Sequence, residues 1–170
     1  MKHKYLEEVG IKEYPDNNWG NKMNPIKKIK NFSKKRKTGI NHQDLYDLDV
    51  VFYQWVYEHL CYFIDTTEDK VDLTYHTFTY KKKTYNQLEF MEYLKSLILE
   101  YLNFDEFQDM KDFNFTMEKT DDGYYTVVDN RTEREKEEYI FKHKENLKKQ
   151  RDLSKDIFKV FEKLLPYLWW

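Results

Sequence analysis

The sequence predicts a helix-rich α+β fold: a single domain with one or two β-hairpins and a long, kinked C-terminal helix. Three observations carry this. Apolar residues recur at helical spacing over Asp44–Ile64, Gln87–Leu102 and the stretch from Thr132 to Pro166. The segments between them alternate in polarity or hold tight-turn residues. The last helical pattern is interrupted by Gln150, Arg151 and Ser154, where a bend costs little buried surface.

From Tyr14 to Pro25, YPDNNWGNKMNP concentrates Pro, Asp, Asn and Gly, each of which favours turns for its own steric reason; this is a loop or an extended arm. IKKIKNFSKKRK follows at Ile26–Lys37, so residues 1–40 read as a basic N-terminal arm and 41–170 as the α+β core domain. Gly39 ends the basic run, and Asn41 with Asp44 resembles a capping pair before the first core helix. On that helix Leu45, Leu48, Val51, Phe52, Trp55, Val56, Leu60, Phe63 and Ile64 share one stripe. Val71–Tyr85 then shifts to period two, and FTYKKKTY reads as two short strands about a lysine turn.

Asn86 and Glu89 have capping-box spacing ahead of a second core helix that carries Leu88, Met91, Leu94, Leu97, Ile98, Tyr101 and Leu102. Phe113–Val128 has the form of a hairpin turning at Asp121-Asp122-Gly123, since glycine readily takes the positive φ of a tight turn. Thr132 with Glu135 makes a second capping box, followed by Glu-before-Lys pairs such as Glu138 with Lys142 and Glu145 with Lys149. An unbroken helix to Pro166 would be roughly 50 Å long, against a diameter of roughly 40 Å for a compact domain of this size. The sequence therefore predicts a break near Gln150–Ser154, with Ile157, Phe161, Leu164 and Leu168 on the helix that contains Trp55. The alternative is a helix that protrudes to pair with a second copy, a homodimer.

The chain lacks alanine and has only 4 Gly and 3 Pro, so close helix approach through small residues gives way to contacts among Tyr, Phe, Leu and Ile. The same skew is the bias of an AT-rich genome. Charged residues make up 35% of the chain yet nearly cancel, at a net charge of -2; this argues against a disordered polyelectrolyte and a uniformly basic nucleic-acid surface. A single cysteine, Cys61, cannot form an internal disulfide, which points to a reducing compartment. No apolar run approaches the roughly 18 residues of a membrane span, and the N-terminus has no signal-like apolar core, so the expectation is a soluble cytoplasmic protein with no membrane partner.

His42, Asp44, Asp47, Asp49, Glu58 and His59 bring histidines and carboxylates near one another, but His59 lies about three turns beyond Asp47. They read as helix-start carboxylates favoured by the macrodipole plus an incidental histidine, with no metal site. His59 stands two residues from Cys61 and would not face it on a helix, so the thiol reads as structural. Gly-rich phosphate loops, HExxH, Gly-x-Ser-x-Gly and paired CxxC are missing from the sequence. No catalytic residue, cofactor or enzymatic activity is expected.

The strongest local electrostatic feature is the segment with Lys27, Lys28, Lys30, Lys34, Lys35, Arg36 and Lys37, which also offers Phe32 for stacking or insertion. It reads either as a macromolecule-binding site, for phosphates or an acidic protein surface, or as a solvated linker. Asp105, Glu106, Asp109, Asp112, Asp121 and Asp122 are acidic candidates for partner contact. Trp169 and Trp170 fit core packing of the last helix better than an interface anchor.

GINHQDLYDLDVVFYQWVYEHL, VDLTYHTFTYKKKTYNQLEF and IFKVFEKLLPYLWW together resemble small uncharacterised accessory proteins of tailed bacteriophages infecting low-GC bacteria. The resemblance covers about half the chain and leaves out the hairpin at Phe113–Val128. It implies a phage-encoded, non-enzymatic inhibitor that binds a host protein or ribonucleoprotein complex, an anti-CRISPR or other anti-defence protein among them. Two alternatives stand beside it: a nucleic-acid-binding accessory protein acting through the basic arm, and an aromatic-lined protein binding a small molecule or nucleotide signal.

Overall fold

The computed structural model describes residues 4–11, 48–107 and 115–168. Their order is α1 (Lys4–Glu8), α2 (Leu48–Thr67), β1 (Thr77–Tyr80), β2 (Lys83–Asn86), α3 (Gln87–Leu102), β3 (Phe115–Lys119), β4 (Tyr125–Asp129), α4 (Glu133–Leu164) and a 3-10 turn at Leu165–Tyr167. This is a helix-rich α+β fold with two separate antiparallel hairpins. It divides into two compact units, Met1–Asn103 with Asp156–Trp170, and Phe104–Lys155.

In the first unit α2 and α3 pack partly through the stripes that their spacing marks and partly through Tyr53, Tyr57 and Phe90, which those stripes leave out, while Leu48 and Trp55 of the α2 stripe are exposed. Tyr53, Val56, Tyr57, Leu60 and Ile64 of α2 and Phe90, Met91, Leu94, Ile98 and Tyr101 of α3 are buried. Rings fill the space that small residues leave vacant elsewhere: Tyr53 meets Tyr101 edge-on at 4.4 Å between centroids. Asn86 caps α3 as its spacing predicts. Its side chain accepts from the Glu89 N–H at 2.8 Å, and its own N–H donates to Glu89 Oε2 at 2.9 Å.

The first hairpin is shorter than the alternation suggests. Strand pairing begins only at Thr77, with Phe78 opposite Tyr85 and Tyr80 opposite Lys83. Upstream, Asp72 Oδ1 accepts from both the N–H and the hydroxyl of Thr74, a local turn that competes with a strand. The lysine turn is present: Lys81 and Lys82 both take positive φ, 47° and 65°, the backbone of a type I′ turn. Tyr80 and Lys81 are tied down from there, the tyrosine hydroxyl donating to Asp156 Oδ1 at 2.8 Å and the lysine forming an ion pair with the same carboxylate. Burial works against ionisation of Asp156, but Lys81 and Tyr80 outweigh it and hold its pKa below the usual carboxylate value.

Within the stretch read as an arm, α1 is docked on α2. Leu6 is wholly buried, its N–H donates to Glu58 Oε1 at 2.7 Å, and the Tyr5 hydroxyl donates to Asp65 at 2.6 Å. Gly10 at φ 76° ends the turn in a Schellman arrangement, with Ile11 N–H on Leu6 C=O and Gly10 N–H on Glu7 C=O. The cap expected at Asn41 and Asp44 lies outside the described residues.

In the second unit β3 and β4 pair with Met117 opposite Val127 and Lys119 opposite Tyr125. The turn forms where expected: Gly123 has φ 82°, and its N–H reaches Thr120 C=O at 2.9 Å. Thr132 opens α4 through the predicted box, its N–H on Glu135 Oε2 at 2.8 Å and its hydroxyl accepting from Glu135 N–H at 3.3 Å. Glu138 pairs with Arg134 on its N-terminal side at 3.1 Å.

The break expected at Gln150–Ser154 is absent, because α4 is one uninterrupted helix of 32 residues. Nothing between Glu133 and Leu164 is Gly or Pro, and Lys, Glu, Gln, Arg and Leu are strong helix formers, so the polar interruption alters the face and leaves the backbone intact. The diameter of one compact body does not limit the helix, because Glu133–Lys155 belongs to one unit and Asp156–Leu164 to the other. Pro166 sits in the 3-10 turn that ends the helix.

Candidate binding cleft

Helical phase decides which face of α2 remains open. Tyr53, Val56, Tyr57, Leu60 and Ile64 turn into the core, which leaves Trp55 and Tyr62, seven residues apart, on the outer side at 50% and 63% exposure. The end of α4 covers part of that face. Ile157, Val160 and Leu164 recur at helical spacing and are all but fully buried. Phe158 stacks on Phe52 at 5.8 Å, and Phe161 meets the same ring edge-on at 6.2 Å.

Between these elements lies an apolar cleft of about 230 Å³, lined by Trp55, Val56, His59, Leu60, Phe63, Phe161, Leu165 and Leu168. Placement of Phe161 and Leu168 beside the Trp55 helix agrees with the sequence expectation, although they line a hollow and do not close it. The single imidazole on its wall is held by the helix: His59 Nδ1 lies 2.7 Å from the Trp55 carbonyl, and the ring sits 4.1 Å from the indole. A carbonyl only accepts, so Nδ1 carries the proton and Nε2 is an acceptor in the neutral ring. Phe63 also borders a second, more polar hollow of about 480 Å³ that includes Asp72, Tyr75, His76, Gln87 and Tyr167. Gln87 Nε2 donates to the Tyr167 carbonyl there at 2.9 Å.

The histidine and carboxylate candidates disperse. Asp49 accepts from the Tyr101 hydroxyl at 2.5 Å, Glu58 accepts from Leu6 N–H, and His59 serves Trp55. His42, Asp44 and Asp47 lie outside the described residues. Among the described residues no three His, Cys, Asp or Glu side chains converge to hold a metal ion. Cys61 is a buried free thiol whose pKa burial pushes up; Tyr57, Lys95 and Glu92 surround it, with Lys95 on Glu92 at 2.8 Å. High pKa and burial suit a structural thiol better than a nucleophile.

The basic segment with Lys27, Lys28, Lys30, Phe32, Lys34, Lys35, Arg36 and Lys37 lies outside the described residues, as do Trp169 and Trp170. The sequence pattern placed Trp55 on the buried stripe and indicated no cleft. The missed signal is that Trp55, His59 and Tyr62 sit on the side of α2 opposite Tyr53, Tyr57 and Leu60. No helix among the described residues is long and apolar enough to cross a membrane.

No protein-family model, curated protein or solved structure matches this chain.

Proposed function

We propose that this chain is a binding protein that acts without catalysis, by occupying a surface of a host macromolecule in the bacterial cytoplasm, as a phage-encoded anti-defence inhibitor does. The observation that carries the reading is the apolar cleft beside a half-exposed Trp55, with Leu165 on its wall 46% exposed. Tryptophan on the edge of an apolar hollow is the composition of an interface hot spot, where one aromatic anchor contributes much of the affinity. The phage assignment is supported by the alanine deficit and by the three segments that carry the resemblance.

The test is affinity capture from host lysate with the natural chain and with Leu165→Glu, followed by titration of the captured partner's activity. Capture lost in the variant, and inhibition that ends near equal concentrations, is the expected result. A sustained effect at strongly substoichiometric dose, abolished by changing one His or Cys, means an enzyme and overturns the reading.

Nucleic-acid binding has its own support in the seven cations between Lys27 and Lys37. If they contact phosphates, replacing Lys34, Lys35, Arg36 and Lys37 by Ser weakens binding and flattens its salt dependence. Absence of binding at low salt removes this second reading.

A further inference from the structure

The second hairpin has an unguarded edge. Thr120 N–H donates to Tyr124 C=O at 2.8 Å, which makes that pair hydrogen-bonded. Pairs alternate along an antiparallel ladder, so Lys119 with Tyr125 and Met117 with Val127 are non-hydrogen-bonded pairs. The backbone N–H and C=O groups of Tyr125, Val127 and Asp129 therefore point away from β3, to the outer edge of β4. Among the described residues no third strand pairs there.

Proteins guard such edges with lysine, proline, bulges or inward charges. The outer residues of β3 include Lys119, one of those devices. β4, YTVVD, has none of them. Its single charge, Asp129, is already held by Arg131, Nε to Oδ1 at 2.8 Å and Nη2 to Oδ2 at 2.7 Å. That guanidinium, first through its hydrogen bond, brings the Asp129 pKa down to about 2. Above this edge Met117, Tyr125 and Val127 share one face of the hairpin and are 76%, 68% and 58% exposed.

We infer that two copies of this chain pair β4 to β4, antiparallel about Val127, into one four-stranded sheet. The register is self-complementary. A two-fold axis normal to the sheet at Val127 sets Val127 against its own copy and Tyr125 against Asp129 of the other strand, so no like charges meet. Met117 and Val127 of each copy then form one apolar row across four strands. The inference is independent of the cleft.

Sedimentation of the full chain over a concentration series tests it. The expected result is a monomer–dimer equilibrium for the natural sequence and a monomer throughout for Val127→Pro. Proline is tolerated at Val127 because the N–H it removes faces the open edge, so the far-UV spectrum stays unchanged. A natural chain that remains monomeric through the micromolar range overturns the inference, as does a proline variant that dimerises normally. Cysteine cross-linking covers the case of a misfolded proline variant. Two copies of Val127→Cys meet at about 5.5 Å between Cα atoms, within disulfide reach, and cross-link on mild oxidation. Met117→Cys places its thiols three strand spacings apart, roughly 14 Å, and stays uncross-linked. Preferential cross-linking at Met117 overturns the register.

Discussion

Phe90→Ala removes the ring that joins the first hairpin to α3. Phe90 has no exposed surface and lies among four other rings: Phe78 at 5.0 Å, Tyr85 at 5.3 Å, Tyr80 at 6.3 Å and Tyr93 at 6.4 Å. Withdrawing a fully buried phenyl from its apolar site costs about 3 kcal/mol. Lost ring geometry and the unfilled space add about 1 kcal/mol, since the backbone is fixed on one side by the Asn86–Glu89 box and on the other by strand pairing. The expected loss is about 4 kcal/mol, within the range of buried Phe→Ala changes. Guanidinium unfolding followed by far-UV circular dichroism reads it as a lower midpoint at unchanged slope. Phe90→Leu should recover more than half. A loss under about 1.5 kcal/mol for the alanine variant would show that the hairpin is not anchored through this ring.

Asn86→Ala, which removes one side of the α3 box, should cost about 1 kcal/mol in the same assay. Lys82→Gly should stabilise by roughly 0.5–1 kcal/mol, because it relieves a side chain held at φ 65° and leaves the Lys81–Asp156 pair in place. Gly123→Ala should cost about 1 kcal/mol through its φ of 82° alone, since a Cβ there meets nothing within 4 Å. The Tyr5 pKa is pushed up to about 12, first by its hydrogen bond to Asp65, and burial raises those of Tyr57, Tyr80 and Tyr101. Their folded values exceed the unfolded value of about 10, so this stabilisation is complete below about pH 10 and fades as the pH climbs towards 12. Tyrosinate absorbance should rise together with unfolding; full ionisation of all tyrosines in a still-folded chain would refute it.

What the sequence made legible was local. Both capping boxes, the lysine turn and the Asp-Asp-Gly turn depend on residues within a few positions of one another, and each forms as read. Burial of Met91, Leu94, Leu97, Ile98 and Tyr101 on α3 also follows from its strong period, whereas Phe90 lies outside that stripe and is buried by the hairpin rings packed on it. Trp55 is apolar yet half-exposed, because only the partners of α2 decide which of its two apolar sides is covered, and those partners come from distant parts of the chain. Leu6 was invisible for the same reason, since its value lies in a hydrogen bond to Glu58, 52 residues away. Gly10 was the available clue, a helix-stop residue directly after KYLEEV. Gln150, Arg151 and Ser154 change the polarity of the helix face, and surface polarity is no signal for a backbone break. No sequence period reveals the open edge of β4, which follows from the phase of a hydrogen-bond ladder.

The first unit is assembled from both sides of the second, and this sets an order on its birth. Synthesis delivers α1, α2, the first hairpin and α3 well before Ile157, Val160 and Leu164 exist. Roughly 54 residues separate Asn103 from Ile157, about 3–11 s at 5–20 residues per second. Throughout that interval Phe52 lacks the rings of Phe158 and Phe161, and the nascent chain carries an unfinished aromatic surface. Synonymous codon changes that slow elongation between Asn103 and Asp156 should therefore lower the yield of soluble protein without altering a single residue of it.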